Sequence, residues 1–490
     1  MLGVLVASLV CLLILRSLKQ LWSNRPYPPG PLRLPIIGNV WRFAIKLQKD
    51  TFIKLAKQYG NVLMLWLGPI PIVGLSGYEA VKEALINHSE GFADRPVTPF
   101  LKVIGKEMGI VLSNGPTWEQ QRKFAIVALR KLGVGKKGVE HQIEEEAHQL
   151  LQTFANAKGH PFDPSIPLRN SVSNVICAVA FGCRFSAEDK QFLKLVEATD
   201  YILSFLGSFS QVLFELFPWL MKHLPGPLNK TLSCAETVLS FARQEIQKHK
   251  KNHTAYEPQD FIDLYLLQMK KSKNDPNSTY NEDNLIHSIF DMFIAGSETT
   301  TLTLRWALLL MANHPDIQEK VYKEIEEVLG SSQSFTYQDR KKLNYTNAVI
   351  HEIQRSQYIL LVGLPRRSTK DVNMLGFLIP KDATIIPDLS SVLLDPKQWE
   401  TPEAFNPKHF LDKDGTFVEK EAFLPFGAGA RVCPGEQLAR MELFILFTSL
   451  IRAFTFQLPE GVKELDTDPL VGLSVVPRPY KICAVPRSSS

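Results

Sequence analysis

Phe426-Gly427-Ala428-Gly429-Ala430-Arg431-Val432-Cys433-Pro434-Gly435 sets a single cysteine between glycine-rich backbone and the start of a helical pattern. Downstream, Leu438, Met441 and Phe444 recur at helical spacing. A cysteine at such a position meets unpaired N–H groups and the positive end of the helix dipole. Both lower a thiol pKa and suit the thiolate to metal ligation. Gly427 and Gly429 lack Cβ, so this loop can turn sharply and lie flat against a large planar ligand. Arg431 can reach an anionic edge of that ligand. The plainer reading of the same residues is a buried, inert cysteine after a glycine turn.

Three other constellations bear on the choice. Ala295-Gly296-Ser297-Glu298-Thr299-Thr300 lies inside a helical pattern running from Glu282 to Asn313. Glycine costs up to about 1 kcal/mol in a helix interior, so a helix that accepts it gains something else. The small pair Ala295-Gly296 leaves room for a ligand, Thr299 can bond back to the i−4 carbonyl and hold water, and Glu298 sets an ionisable group beside it. Glu352 and Arg355 stand three apart on one helix face, a spacing also common on solvated helices. Trp118 and Arg122, four apart, offer an indole N–H and a guanidinium suited to a carboxylate.

The cysteine stretch resembles the haem-binding signature of the cytochromes P450, through Phe426, Gly427, Gly429, Arg431, Cys433 and Gly435. That resemblance implies haem b with Cys433 as axial thiolate ligand. It implies that Thr299 and Glu298 position water and deliver protons, while Ala295 and Gly296 border the reacting face. Trp118, Arg122 and Arg431, with Arg366 as a further candidate, would bind haem propionates. Glu352 and Arg355 would form a buried structural ion pair, with His409 where many relatives carry arginine. Phe92-Ala93-Asp94-Arg95-Pro96, Glu421–Phe426 and Phe217-Pro218-Trp219 are similar to vertebrate microsomal family-two members, the fatty-acid epoxygenase and hydroxylase subfamily in particular.

The rest of the chain is consistent with a fold that is mainly α with small β-sheets. Of its 490 residues, 45% are hydrophobic and 21% charged, an ordinary globular profile. The net charge of +5 is too mild to argue for nucleic acid, and six scattered cysteines suggest a reducing compartment. Met1 to Leu15 carries no charge and reads as the start of a retained membrane anchor over 1–22, oriented by Arg16, Lys19, Arg25 and Arg33. A cleaved signal peptide would call for a basic start and a small-residue site after the apolar run. A proline-rich hinge follows over 23–40, then one catalytic domain over 41–490. Val62–Leu67 and Ile70–Leu75 read as a hairpin around Gly68-Pro69, with another strand near Thr384 to Pro387. Lys248 to Asn252 and Lys270 to Asn277 read as polar surface loops. Phe217–Met221 reads either as a core segment ending at a turn or as a loop dipping into the membrane.

The implied reaction inserts one oxygen atom from O2 into an apolar substrate: a polyunsaturated fatty acid, a steroid or a xenobiotic. Family resemblance assigns pocket walls to Thr98–Ser113, a Tyr201–Gln211 helix, Ile294–Thr299, Leu360–Leu364 and Gly472–Val475, with Phe205, Phe209, Ile294, Leu360, Val362 and Val475 as apolar lining. Electrons would come from NADPH–cytochrome P450 reductase, with cytochrome b5 as a further candidate donor. Arg122, Lys123, Arg130, Lys131, Lys136 and Lys137 form a basic run that would dock such a partner or simply face solvent. The implied location is the endoplasmic reticulum membrane, with the catalytic body facing the cytosol. Two rivals stay open: a reductase-independent haem-thiolate isomerase or dehydratase, and a non-catalytic haem- or lipid-binding protein.

Overall fold

A turn at Gly68, held at φ +58, folds β1 (Val62–Leu67) back on β2 (Ile70–Leu75) as the apolar runs and the Gly-Pro pair predict. In this computed structural model, the described residues are 26–34, 37–39, 51–133, 137–252, 258–330 and 334–487. They divide into two compact units, drawn from Met1–Pro96, Leu360–Gln398 and Phe426–Val432 on one hand, and from Val97–Ile359, Trp399–Pro425 and Cys433–Ser490 on the other. The expected anchor over 1–22 lies outside the described residues. Among those residues, no helix is long and apolar enough to cross a membrane.

The first unit is built on one sheet. β3 (Arg366–Arg367) and β4 (Thr384–Pro387) complete the order β1-β2-β4-β3, with β2 and β4 parallel and the other pairs antiparallel. Leu63, Leu65 and Ile72 pack with Phe52 and Leu55 of the Thr51–Tyr59 helix, and Val362 and Ile386 close over them. The described part of the proline-rich stretch is not a free spacer. Pro29 O accepts from Met64 N at 2.8 Å, Pro26 O from Leu378 N at 2.7 Å, and a Cβ on Gly30 would stand 1.9 Å from Met64 O. Prolines suit this edge because their carbonyls can accept while no N–H is left over.

The second unit is helical. Its main members are α1 (Gly115–Lys131), α2 (Ser165–Phe181), α3 (Lys190–Phe205), α4 (Glu282–Asn313), α5 (Asn344–Ser356) and α6 (Glu436–Ala453). Asn281 starts α4 by accepting from Asn284 N at 2.8 Å, and Pro315 bars continuation past His314. α4 is buried on nearly every side and packs on α2 and α6, so its apolar residues are not confined to one stripe.

Two local expectations are corrected. Tyr201–Gln211 is not one helix. Gly207 takes φ +81, and Ser208 caps a separate helix, Phe209–Leu216, by accepting from Gln211 N. Lys248 to Asn252 is likewise no loop but the last turns of the Pro227–Asn252 helix, and Lys270 and Lys271 end the Phe261–Lys271 helix. Polarity there marks a solvated helix end whose basic residues complement the dipole.

That helix end is latched. His249 Nε2 donates to Asp260 Oδ2 at 2.8 Å and Nδ1 to Glu245 O at 2.8 Å, while Asp260 caps the next helix through Asp263 N. The hydrogen bond to Asp260 raises His249 to about 9, against an opposing burial effect. A folded-state pKa above the unfolded value of 6.5 means that the pair stabilises fully below pH 6.5 and is lost as pH rises through about 9. His249→Gln is expected to cost about 1–2 kcal/mol at pH 6, discounted for partial solvation, and almost nothing at pH 10. Urea unfolding of both proteins at the two pH values checks this.

Candidate active site

The cysteine loop belongs to both units by sequence, dividing between Val432 and Cys433. On the first side, Gly427 and Gly429 hold φ +72 and +71, backbone that other residues adopt only with strain. The two glycines serve different ends. A Cβ on Gly427 would meet nothing within 4 Å, whereas one on Gly429 would fall 1.7 Å from Leu85 O. Gly429 is therefore small because the loop presses on the Glu83–Asn87 turn, not to admit a planar ligand. Ser89 Oγ accepts from Ala430 N at 2.9 Å, buried Arg431 donates through Nε to Ala93 O at 2.7 Å, and buried Arg366 donates to Ala428 O at 3.1 Å. Two guanidinium groups thus bear on one short loop.

On the second side, Cys433 stands just before α6, where the backbone N–H groups of Gly435 and Glu436 act to lower its pKa. Burial nevertheless pushes the thiol above its ordinary pKa, with Glu436 adding to the rise and Arg122 opposing it. The expected lowering by the helix start is present but outweighed by desolvation. Cys433 keeps exposed surface even so. Open surface in a crowded setting is what a ligand-binding side chain needs. α1 supplies Trp118 and Arg122 from one face, both half-buried, and Arg122 acts electrostatically on Cys433. A soft sulfur donor beside helix-start N–H groups and the Arg122 guanidinium suits a metal-centred, anionic group such as haem.

α4 passes through Ala295–Thr300 as unbroken α-helix. Thr299 Oγ1 donates to Ala295 O at 2.8 Å, the expected back-bond. Ala295 is exposed although its helix is buried on both sides of it. Gly296 plays another part than expected: its Cβ would fall 2.4 Å from Ile176 Cδ1, so it lets α2 approach α4 rather than clearing space for a ligand. Glu298 is raised to about 7, first by burial and then by Asp200, with Arg305 and Arg169 pulling the other way.

Glu352 and Arg355 on α5 are both fully buried and pair in a fork, Nε and Nη2 each at 2.7 Å from a carboxylate oxygen. Arg355 also donates to Pro402 O and Ala404 O at 2.8 Å, and Glu352 accepts from Asn406 N at 2.8 Å. His409 Nδ1 donates to Glu352 at 3.1 Å while its Nε2 accepts from Thr401 N at 3.2 Å, which makes it the neutral Nδ1–H tautomer.

The expected pocket residues fall in different surroundings. Phe205 is buried, 5.1 Å from the Phe100 ring; Val475 is buried, with Trp306 Nε1 donating to its carbonyl at 3.1 Å; Ile294 is half-buried on α4. Leu360 and Val362 belong to the first unit, where Val362 packs on the sheet core. Phe209 is 55% exposed in the first turn of its own helix, contrary to its expected place in the lining. A groove of about 470 Å³ bordered by Tyr337, Arg340, His351, Glu419 and Arg440 includes none of these residues.

Two positioning residues escaped the sequence reading. Asp291 accepts from Ile110 N at 2.7 Å and Val111 N at 2.8 Å, pinning the Thr98–Ser113 segment to α4. Its sign was a lone carboxylate inside Ile289-Phe290-Asp291-Met292-Phe293. Arg95 donates to Leu364 O at 2.8 Å and Pro365 O at 2.9 Å, fixing the turn before Arg366.

A family model described as Cytochrome P450 matches residues 28–484. Cytochrome P450 2J2 of Homo sapiens is 43% identical over 94% of this chain and 91% of its own length. Cytochrome P450 2J5 of Mus musculus is 42% identical over 99% and 96%. Cytochrome P450 2B2 of Rattus norvegicus is 39% identical over 98% of both chains.

Proposed function

This chain belongs to the cytochrome P450 family, and on that premise we propose how its residues divide the work of a haem-thiolate monooxygenase. The enzyme inserts one atom of O2 into a lipophilic substrate with electrons from a redox partner. Bound haem supplies the iron at which O2 is reduced, and a cysteine thiolate donates electron density to it. Cys433 would supply that thiolate, and the observation that carries this assignment is its exposed side chain immediately before the start of α6. Trp118 and Arg122 in the one unit, and Arg366 and Arg431 in the other, are the N–H donors that would hold the haem propionates. Phe426 and Gly435 shape the loop around the ligand.

Thr299 holds water at Ala295, and Glu298 passes protons toward it. A carboxyl raised to about 7 is half-protonated at working pH, the condition for giving and regaining a proton. Product formed per NADPH is expected to fall as pH rises through about 7, because Glu298 then loses the proton it delivers. The charges that set this value are Asp200 on α3, Arg169 on α2 and Arg305 on α4. Glu298→Gln is expected to flatten that pH dependence and to slow turnover about 10- to 100-fold. A pH dependence unchanged in the variant assigns it to another group.

Substrates are apolar, polyunsaturated fatty acids among them, with Phe205, Ile294 and Val475 of the helical unit as candidate lining. NADPH–cytochrome P450 reductase, with cytochrome b5 as second donor, docks on exposed Lys123, Arg130 and Lys131 of α1. Phe217, Trp219, Leu220 and Leu224 are exposed apolar residues that meet lipid, which fits a catalytic body on the cytosolic face of the endoplasmic reticulum.

Reconstitution in lipid vesicles with the reductase tests this reading. NADPH-dependent oxygenation of fatty acids or drugs is the expected result. Rearrangement of lipid hydroperoxides without reductase would establish the isomerase instead. Full haem loading with no turnover of either kind would leave a binding protein.

A further inference from the structure

Gln121 is an amide where an apolar residue would pack more simply. It opens the core-facing row of α1, with Ala125, Ala128 and Leu129 following at helical spacing, and it is 1% exposed. Its polar atoms are matched. Nε2 donates to Thr279 O at 3.2 Å and to Thr279 Oγ1 at 3.0 Å, while Oε1 accepts from Tyr265 OH at 2.7 Å. Gln120 takes hold of the same stretch. Its Oε1 accepts from Thr279 N at 3.0 Å and from the Thr279 hydroxyl at 3.1 Å, and its Nε2 donates to Asn277 O at 2.9 Å. The Gln120 carbonyl also accepts from Tyr280 OH at 3.2 Å. One threonine hydroxyl thus lies between two consecutive amides, donating to the first and accepting from the second.

The far end of this grip is itself tied down. Asn284 Nδ2, in the first turn of α4, donates to Thr279 O at 2.9 Å, and Asn284 Oδ1 accepts from Gly109 N at 3.1 Å. Directional bonds therefore refer α1 to the start of α4. The Phe124 ring meets Tyr265 edge-on at 4.9 Å beside them, but burial of apolar surface is in itself non-directional.

Rotation matters on this helix. Trp118 stands three residues before Gln121 and Arg122 one after, so each faces away from Gln121 at an angle that the helix fixes. On a helix about 10–12 Å wide, a turn of about 10° about the axis moves a side-chain end by about 1 Å. A displacement of that size is enough to lose a hydrogen bond.

We propose that Gln121, with Gln120 beside it, is a positioning residue for haem: the two amides grip Thr279 and so fix the rotation of α1, which sets where Trp118 and Arg122 stand. This rests on the reading of Trp118 and Arg122 as propionate donors. A hydrocarbon at 121 would bury without needing partners, but it would leave that rotation to apolar contact.

The test follows haem transfer from the full-length, haem-loaded protein to an excess of apomyoglobin, which needs no turnover. Gln121→Met keeps the volume and removes the grip. It should release haem about 5- to 20-fold faster than the parent, and Gln120→Ala about 2- to 5-fold faster. His249→Gln, which removes a bond elsewhere in the helical unit, should stay within about twofold. Added to a protein already carrying Trp118→Phe and Arg122→Ala, Gln121→Met should change release by less than about twofold, because the amide acts through those two donors. Propionate bending bands in the resonance Raman spectrum should shift in Gln121→Met, while the reduced carbon-monoxide band keeps its place.

Parental release from Gln121→Met, an undiminished effect in the Trp118→Phe/Arg122→Ala background, equally fast release from His249→Gln or unmoved propionate bands would each overturn the proposal. Should Gln121→Met not fold, Gln120→Ala decides alone by the same measurements. A Trp118→Phe/Arg122→Ala protein that released haem at the parental rate would instead overturn the underlying reading, which separates the two failures.

Discussion

A Cys433→Ser enzyme is expected to lose both the strongly red-shifted Soret band of its reduced carbon-monoxide complex and its turnover. The loss should be roughly 1,000-fold or more, beyond the roughly 10–100-fold typical of residues that only support a metal ligand. Serine matches the size of cysteine, so the loop and its contacts should survive. What changes is the donor. A hydroxyl ionises far less readily than a thiol, and an oxygen donor is harder and releases less electron density to iron. The setting of Cys433 makes the result diagnostic. Burial raises the pKa of the unligated thiol, and ligation to iron would favour the deprotonated form. Haem content measured beside the spectrum separates loss of the ligand type from loss of the cofactor. A variant that retained both haem and the red-shifted band would place the axial thiolate at another cysteine.

The second large effect is expected at Arg355. Removing its side chain leaves fully buried Glu352 with His409 and the Asn406 N–H as its remaining partners among the described residues, and strands the Pro402 and Ala404 carbonyls. Breaking a buried pair from one side costs about 3–5 kcal/mol. Against a total stability of about 5–15 kcal/mol, that is a third or more of the fold. Arg355→Ala is therefore expected to express poorly, unfold at much lower urea and retain little haem. Arg355→Lys should rescue little, because one ammonium cannot replace a fork that also reaches two carbonyls. The double replacement Glu352→Leu/Arg355→Leu should cost less than the single removal, since no charge is left behind. Urea unfolding with haem absorbance checks all three. A single variant within about 1 kcal/mol of the parent would mean that water or another group relieves the carboxylate.

How far each feature could be read depended on whether its cause was local. The hairpin at Gly68 and the extent of α4 were legible because turn chemistry, the Asn281 cap and Pro315 act on neighbouring residues. The back-bond of Thr299 follows from helix geometry alone. Other assignments were right about the residue type and wrong about its reason. Gly429 and Gly296 looked like space for a ligand, yet one yields to Leu85 O and the other to Ile176. Both contacts join segments more than a hundred residues apart, which no spacing reveals. The break at Gly207 was missed because apolar residues continue on both sides of it. Lys248–Asn252 misled for the opposite reason, since a charged helix end and a loop have the same composition.

The sequence by itself determined the family and the chemistry, and it singled out the residues proposed to carry it. A thiolate loop, an acid–threonine pair and a Glu–Arg spacing are local patterns whose chemical requirements are written in adjacent residues. Only the tertiary structure decided which charges are buried, how they are partnered and what their pKa values become. It showed that desolvation outweighs the helix start at Cys433 and that Asp200 and two arginines tune Glu298. Those outcomes depend on how densely distant segments pack around a group, and packing is a property of the assembled fold rather than of any stretch of chain.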